Sequence, residues 1–159
     1  SGMRYSFVVL PLLACSVVSA QAQDFGPLDH LSGACWVAEV PSEGEAPAAQ
    51  NIHCFEKMFG GQFIRDRHEF VSEGAEPITG ESVYALEDTG FKITNYSDLG
   101  SIEQAHASVS ESGELVFQVS KKIRSILQVI DADSYELRQE ERKGGSWNIV
   151  NRQAFTRQP

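Results

Sequence analysis

The stretch Leu28-Asp29-His30-Leu31-Ser32-Gly33-Ala34-Cys35-Trp36 carries the reading of the whole chain. Pro27 at the first helical position and Gly33 just past the last fit the start and stop preferences of a short helix. One helical turn is not stable alone. Its two leucines, at i and i+3, must therefore lean on an apolar surface such as the mouth of a sheet or barrel. After Gly33 the chain turns to strand residues, and the first strand opens with a cysteine and a large aromatic.

From Ala34 onward no segment sustains a helical period. Short runs rich in Val, Ile, Phe, Tyr and Trp are cut by turn residues at Pro41 to Gln50, Gly60-Gly61, Ser72 to Pro77, Asp88-Thr89-Gly90, Asp98-Leu99-Gly100, Glu111-Ser112-Gly113, Asp131-Ala132-Asp133 and Lys143-Gly144-Gly145. Such spacing predicts an antiparallel meander, with strands at 34–40, 51–59, 62–71, 78–87, 91–97, 101–109, 114–120, 123–130, 134–141 and 146–156. Phe91, Ile93 and Asn95 oppose Lys92, Thr94 and Tyr96; Leu115, Phe117 and Val119 oppose Val116 and Gln118; Trp147, Ile149 and Asn151 oppose Asn148, Val150 and Arg152. Period two with one apolar face means that one side of the sheet is covered. With almost no helix to cover it, the sheet must cover itself. The predicted fold is all-β, an up-and-down meander of about ten strands closed into a barrel, which also removes the exposed edges.

Ser1-Gly2 ahead of Met3 read as a cloning remnant. From Met3 the order is a short region with Arg4, an apolar run from Phe7 to Ala14, and small residues at Val18-Ser19-Ala20 and Ala20-Gln21-Ala22. That order is a secretory signal peptide, expected to end near Gln23, and the run is too short to span a bilayer. The expected division is 1–23 as remnant plus signal and 24–159 as one domain, periplasmic or secreted, with no integral membrane segment after signal removal. Leu12-Leu13-Ala14-Cys15 also resembles a bacterial lipobox, which would place a lipid anchor on Cys15. Loss of Arg4 leaves twelve basic against twenty-two acidic side chains, a formal charge of −10. Such acidity argues against nucleic acid and against an anionic membrane surface as partners. The domain keeps two cysteines, Cys35 and Cys54, and an even pair in an exported chain reads as a disulfide.

The helical turn, Gly33-Ala34-Cys35-Trp36 and a meander ending in Arg152-Gln153-Ala154-Phe155-Thr156-Arg157 resemble the calycin superfamily of lipocalin-like barrels. Those proteins carry G-x-W on the first strand and a late basic residue that packs over the tryptophan; here two residues separate Gly33 from Trp36. Gly60-Gly61-Gln62-Phe63, Gly80-Glu81-Ser82-Val83-Tyr84 and Tyr96-Ser97-Asp98-Leu99-Gly100 resemble, in that order, motifs of small bacterial lipocalin-like domains of unassigned function. Nitrobindin-type barrels bind haem through a histidine near the C-terminus. No histidine follows His106, so that site is not carried over.

A barrel offers a concave pocket lined by apolar side chains and a few polar ones. The lumen candidates are Trp36, His53, Phe55, Arg65, Arg67, Tyr84, Tyr96, His106 and Trp147, with Trp36 placed at the closed end under the helical turn. The function expected is a binding protein for a small hydrophobic or amphipathic ligand, with no cofactor, metal or catalytic residue assigned. A non-catalytic envelope protein with a filled barrel, or a homodimer, is the alternative, and a hydrolase or isomerase using His68, Asp66 or Arg67 is the third reading. Counting outward from Gly60-Gly61 places His53 and His68 nearly opposite each other, close enough to share a ligand or a proton. The run Gln62 to Phe70 stays ambiguous, because Ile64, Asp66, His68 and Phe70 share one face and Phe63, Arg65, Arg67 and Glu69 the other. Either its middle projects into water, or the lumen is wide enough to hold polar residues.

Overall fold

A computed structural model describes residues 23–159. The predicted signal peptide, all but its last residue, and the Cys15 anchor lie outside the described residues. One short helix, α1 (Pro27–Leu31), precedes ten strands: β1 (Ala34–Val40), β2 (Ala49–Met58), β3 (Phe63–Ser72), β4 (Ile78–Leu86), β5 (Phe91–Ser97), β6 (Ile102–Val109), β7 (Leu115–Gln118), β8 (Ile123–Asp131), β9 (Ser134–Lys143) and β10 (Ser146–Arg157). Each strand pairs antiparallel with its neighbour in sequence, and β1 meets β10 to close the barrel. The predicted strands recur with their ends shifted by at most two residues. Among the described residues, no helix is long and apolar enough to cross a membrane.

The helix caps one end. Leu28 and Leu31 are fully buried among Phe25, Trp36, Phe91, Leu115, Tyr135 and Phe155. The Trp36 indole N–H donates to the Leu31 carbonyl at 3.0 Å, so the tryptophan plugs the capped end as its position under the turn predicts. Phe25 stacks on Phe91 with centroids 5.8 Å apart, and Lys57 reaches Asp29 at 3.0 Å. The guanidinium of Arg157 lies 5.8 Å from the Trp36 ring centroid.

The inner face consists of alternate residues: Trp36 and Ala38, Phe55, Ile64, Tyr84, Phe91 and Ile93, Ala107, Leu115, Leu127, Tyr135 and Phe155. In β10 the alternation breaks. The register shifts between Ile149 and Asn151, a β-bulge that moves one residue across the sheet. Trp147 and Ile149 therefore face outward, while Phe155 faces inward. The expected common face of Trp147, Ile149 and Asn151 is corrected by this extra residue.

Cys35 and Cys54 are direct register partners on β1 and β2 and form a disulfide. It lies on the outer wall, since its neighbours Trp36 and Phe55 point inward. Closing its eighteen-residue loop is worth about 3 kcal/mol in the chain-entropy picture. Cys35→Ser is expected to lower the Tm by roughly 10 °C; reductant should lower wild type equally and leave the variant unmoved. Equal melting of variant and wild type would show that the bond contributes nothing.

Candidate functional site

The lumen divides into two halves. Toward the helix it is filled by its own side chains: Tyr135 and Phe155 stack at 4.5 Å, Trp36 meets Tyr135 edge-on at 5.4 Å, and Phe55 meets Tyr135 at 6.4 Å. Toward the uncapped end the inward positions turn polar, with Asn51, His53, Asp66, His68, Ser82 and Asn95. Phe70 and Ile78, paired across β3 and β4 and partly exposed at 36% and 62%, bring apolar surface back at the rim.

Asp66, His53 and His68 converge at the floor of the polar half. His53 on β2 lies directly opposite His68 on β3, with ring centroids 5.4 Å apart. Asp66 precedes His68 by two residues and so shares its face. Its Oδ2 accepts a 2.7 Å hydrogen bond from His53 Nδ1 and lies 4.0 Å from His68 Nδ1. The Asp66 side chain is 5% exposed, yet its Oδ1 has no hydrogen-bond partner, and neither does the buried Nδ1 of His68. Buried polar atoms are normally paired. Two of the four such orphans among the described residues lie within this one cluster. One potential ligand atom from each of the three residues lies within 4.8 Å of the others.

The packing holds these groups in place. Phe55 stacks on the His53 ring at 6.1 Å and Phe155 meets it edge-on at 5.4 Å. Ser82, the β4 partner of Asp66, donates to Asn95 Oδ1 at 2.6 Å. Gly80 is required beside His68, because a Cβ there would come within 2.5 Å of His68 Nε2 and 2.8 Å of the Tyr96 carbonyl oxygen. A groove of about 420 Å³ lies beside this position, lined by Arg67, His68, Gly80, Tyr96 and Asp98; of the cluster, only His68 borders it. A larger outer-wall groove, about 810 Å³ beside the disulfide, contains neither of the two orphaned atoms.

Of the predicted lumen residues, Trp36, His53, Phe55 and Tyr84 face inward. The other five stand on the outer wall, and the lumen expectation for them is corrected. Arg65 and Arg67 alternate with the inward Ile64, Asp66 and His68, and Arg65 pairs across the outer wall with Glu56 and with Glu81. Tyr96 alternates with inward Ile93 and Asn95 and is 44% exposed. His106 sits beside inward Ala107 and binds Glu87 at 3.1 Å. Trp147 lies ahead of the β10 bulge and carries the Arg124 guanidinium 4.2 Å from its ring centroid. The middle of β3 therefore does not project into water: its Asp66 and His68 face the lumen. The binding-pocket set omits Asp66, His68 and Gly80; Asp66 and His68 enter only through the hydrolase or isomerase reading, and the register of His53 and His68 counted from Gly60-Gly61 is the signal that reaches them.

The fold and site define a closed ten-stranded antiparallel barrel, capped at one end, with a polar cluster set in the lumen below its uncapped rim. No protein-family model matches the chain, and no curated protein matches it significantly.

Burial holds the His68 imidazole below its ordinary value of 6.5; Asp66 and Glu81 pull it upward, and His53 adds to the lowering. Burial also raises the Tyr84 and Tyr135 hydroxyls well above the usual tyrosine range, with the Asp66 charge adding to the effect. A histidine with a lowered native value binds fewer protons folded than unfolded between that value and 6.5, so stability rises with pH across this window. The Tm of wild type should fall more steeply than that of His68→Gln on going from about pH 7 to about pH 5. Parallel profiles would count against a buried, neutral His68.

Proposed function

We propose that the chain is an exported, lipocalin-like binding protein of calycin type that takes a small amphipathic molecule through its uncapped end. The polar part of the ligand meets His53, Asp66 and His68, and its apolar part rests on the Phe70 and Ile78 rim. The observation that carries this reading is the pair of orphaned polar atoms, Asp66 Oδ1 and His68 Nδ1, buried within one cluster. Leaving such atoms unpaired costs about 1–3 kcal/mol each, a cost that an incoming donor or acceptor removes. The packed aromatic half leaves a ligand only the polar half and favours an amphipathic molecule over a purely hydrophobic one. Gly33, Trp36 and Arg157 support the calycin reading, and a disulfide suits an oxidising compartment outside the cytosol.

Native mass spectrometry of the mature protein from a periplasmic extract, compared with the denatured sample, tests this reading. A mass excess lost on denaturation is expected. A Phe70→Glu/Ile78→Glu double variant, altered only at the rim, should lose most of that excess while retaining the wild-type circular dichroism spectrum. A bare wild-type chain that also ignores amphipathic fluorescent probes would overturn the reading in favour of a filled barrel that works through its surface.

A further inference from the structure

The polar floor has a second use that does not depend on an organic ligand. We infer that His53, Asp66 and His68 bind a divalent transition metal, with Zn²⁺ the ion that two imidazoles and one carboxylate suit.

A carboxylate buried to 5% exposure is costly unless it meets a cation or a full set of donors. Asp66 receives a hydrogen bond from His53 alone, and its Oδ1 receives none. Among the described residues no lysine or arginine pairs with it; on the same strand Arg65 and Arg67 face the opposite wall, where Arg65 is held by Glu56 and Glu81. A bound cation supplies the missing charge.

The donor set is also the right one. Imidazole nitrogens and a carboxylate oxygen are first-row metal ligands, and one from each residue falls within 4.8 Å of the rest. Two adjacent strands hold all three: cross-strand pairing sets His53 against His68, and the two-residue repeat sets Asp66 beside them. Phe55 and Phe155 hold the His53 ring from two directions, the apolar surround that controls solvent access to a metal. An ion drawing on Asp66 Oδ1 and His68 Nδ1 satisfies both orphaned atoms at once. A plain His53–Asp66 pair leaves both unsatisfied. Three protein ligands leave a coordination position free, and His68 itself borders the groove beside Gly80.

The test uses the mature chain stripped with chelator and dialysed. Calorimetric titration with Zn²⁺ should give one ion per chain, and Co²⁺ should develop visible absorption that Zn²⁺ abolishes. His53→Gln and His68→Gln should each weaken Zn²⁺ binding by about 100-fold or more, whereas His30→Gln and His106→Gln, remote from the cluster, should bind as wild type does. Folding of every variant is checked by circular dichroism. Should a cluster variant not fold, wild type still decides: added Zn²⁺ must raise its Tm and shift the imidazole NMR signals of His53 and His68 ahead of those of His30 and His106. Absence of one-to-one binding, or binding unaffected by both cluster variants, overturns the metal site. An organic adduct retained in chelator-treated protein that binds no Zn²⁺ would leave the ligand reading standing while the metal site failed.

Discussion

Trp36 is the residue on which the parts of this barrel meet. Its indole N–H holds the helix through the Leu31 carbonyl, its ring takes the edge of Tyr135 from β9, and Arg157 at the end of β10 lies across it. Its neighbour Cys35 bonds β1 to β2. Trp36 thus ties the cap to β9 and β10, and the adjacent Cys35 ties β1 to β2. Because the cap is only one turn long, it depends on this anchor and on two buried leucines rather than on its own backbone.

Filling one half of the lumen has a consequence for the other. The aromatics around Tyr135 and Phe155 supply the apolar burial that stabilises the fold. Beyond them the inner wall is free to carry groups that a core would reject. Asp66 and His68 occupy inward positions of β3 that a conventional barrel strand would fill with aliphatic side chains. They set buried polar groups next to the fully buried Ile64 on the same face, the kind of local conflict that accompanies a functional site.

The architecture was legible because its signals are local. Turn glycines and aspartates marked the strand ends, and period two marked the covered face. The site was harder to read for two physical reasons. In β3 both faces carry charge, so hydrophobicity could not say whether Arg65 and Arg67 or Asp66 and His68 faced inward; the answer comes from Ile64 packing into the core on the same face as Asp66. In β10 a single extra residue turns the face over, so Trp147 points outward although Phe155 points inward. Tyr96 and His106 are outward by simple alternation with Ile93 and Ala107, yet an aromatic or a histidine alone does not declare its side. Gly80 illustrates a further limit, because a missing side chain matters only when the neighbour that needs the space is known.

The seam between β1 and β10 is short: Trp36 lies opposite Arg157, Val37 opposite Thr156, and the Gln158 N–H adds a bond to the Cys35 carbonyl at 2.9 Å. Every other strand pairs with its immediate successor, so nine hairpin-like steps can form from neighbours while this one joins segments about 120 residues apart. Bringing such distant segments together carries the largest loop-closure cost in the fold. The β1–β10 seam is the one pairing that closes the barrel. Without it the meander would present two unpaired edges of the kind that pairs with other chains, and the chain's net negative charge opposes such pairing.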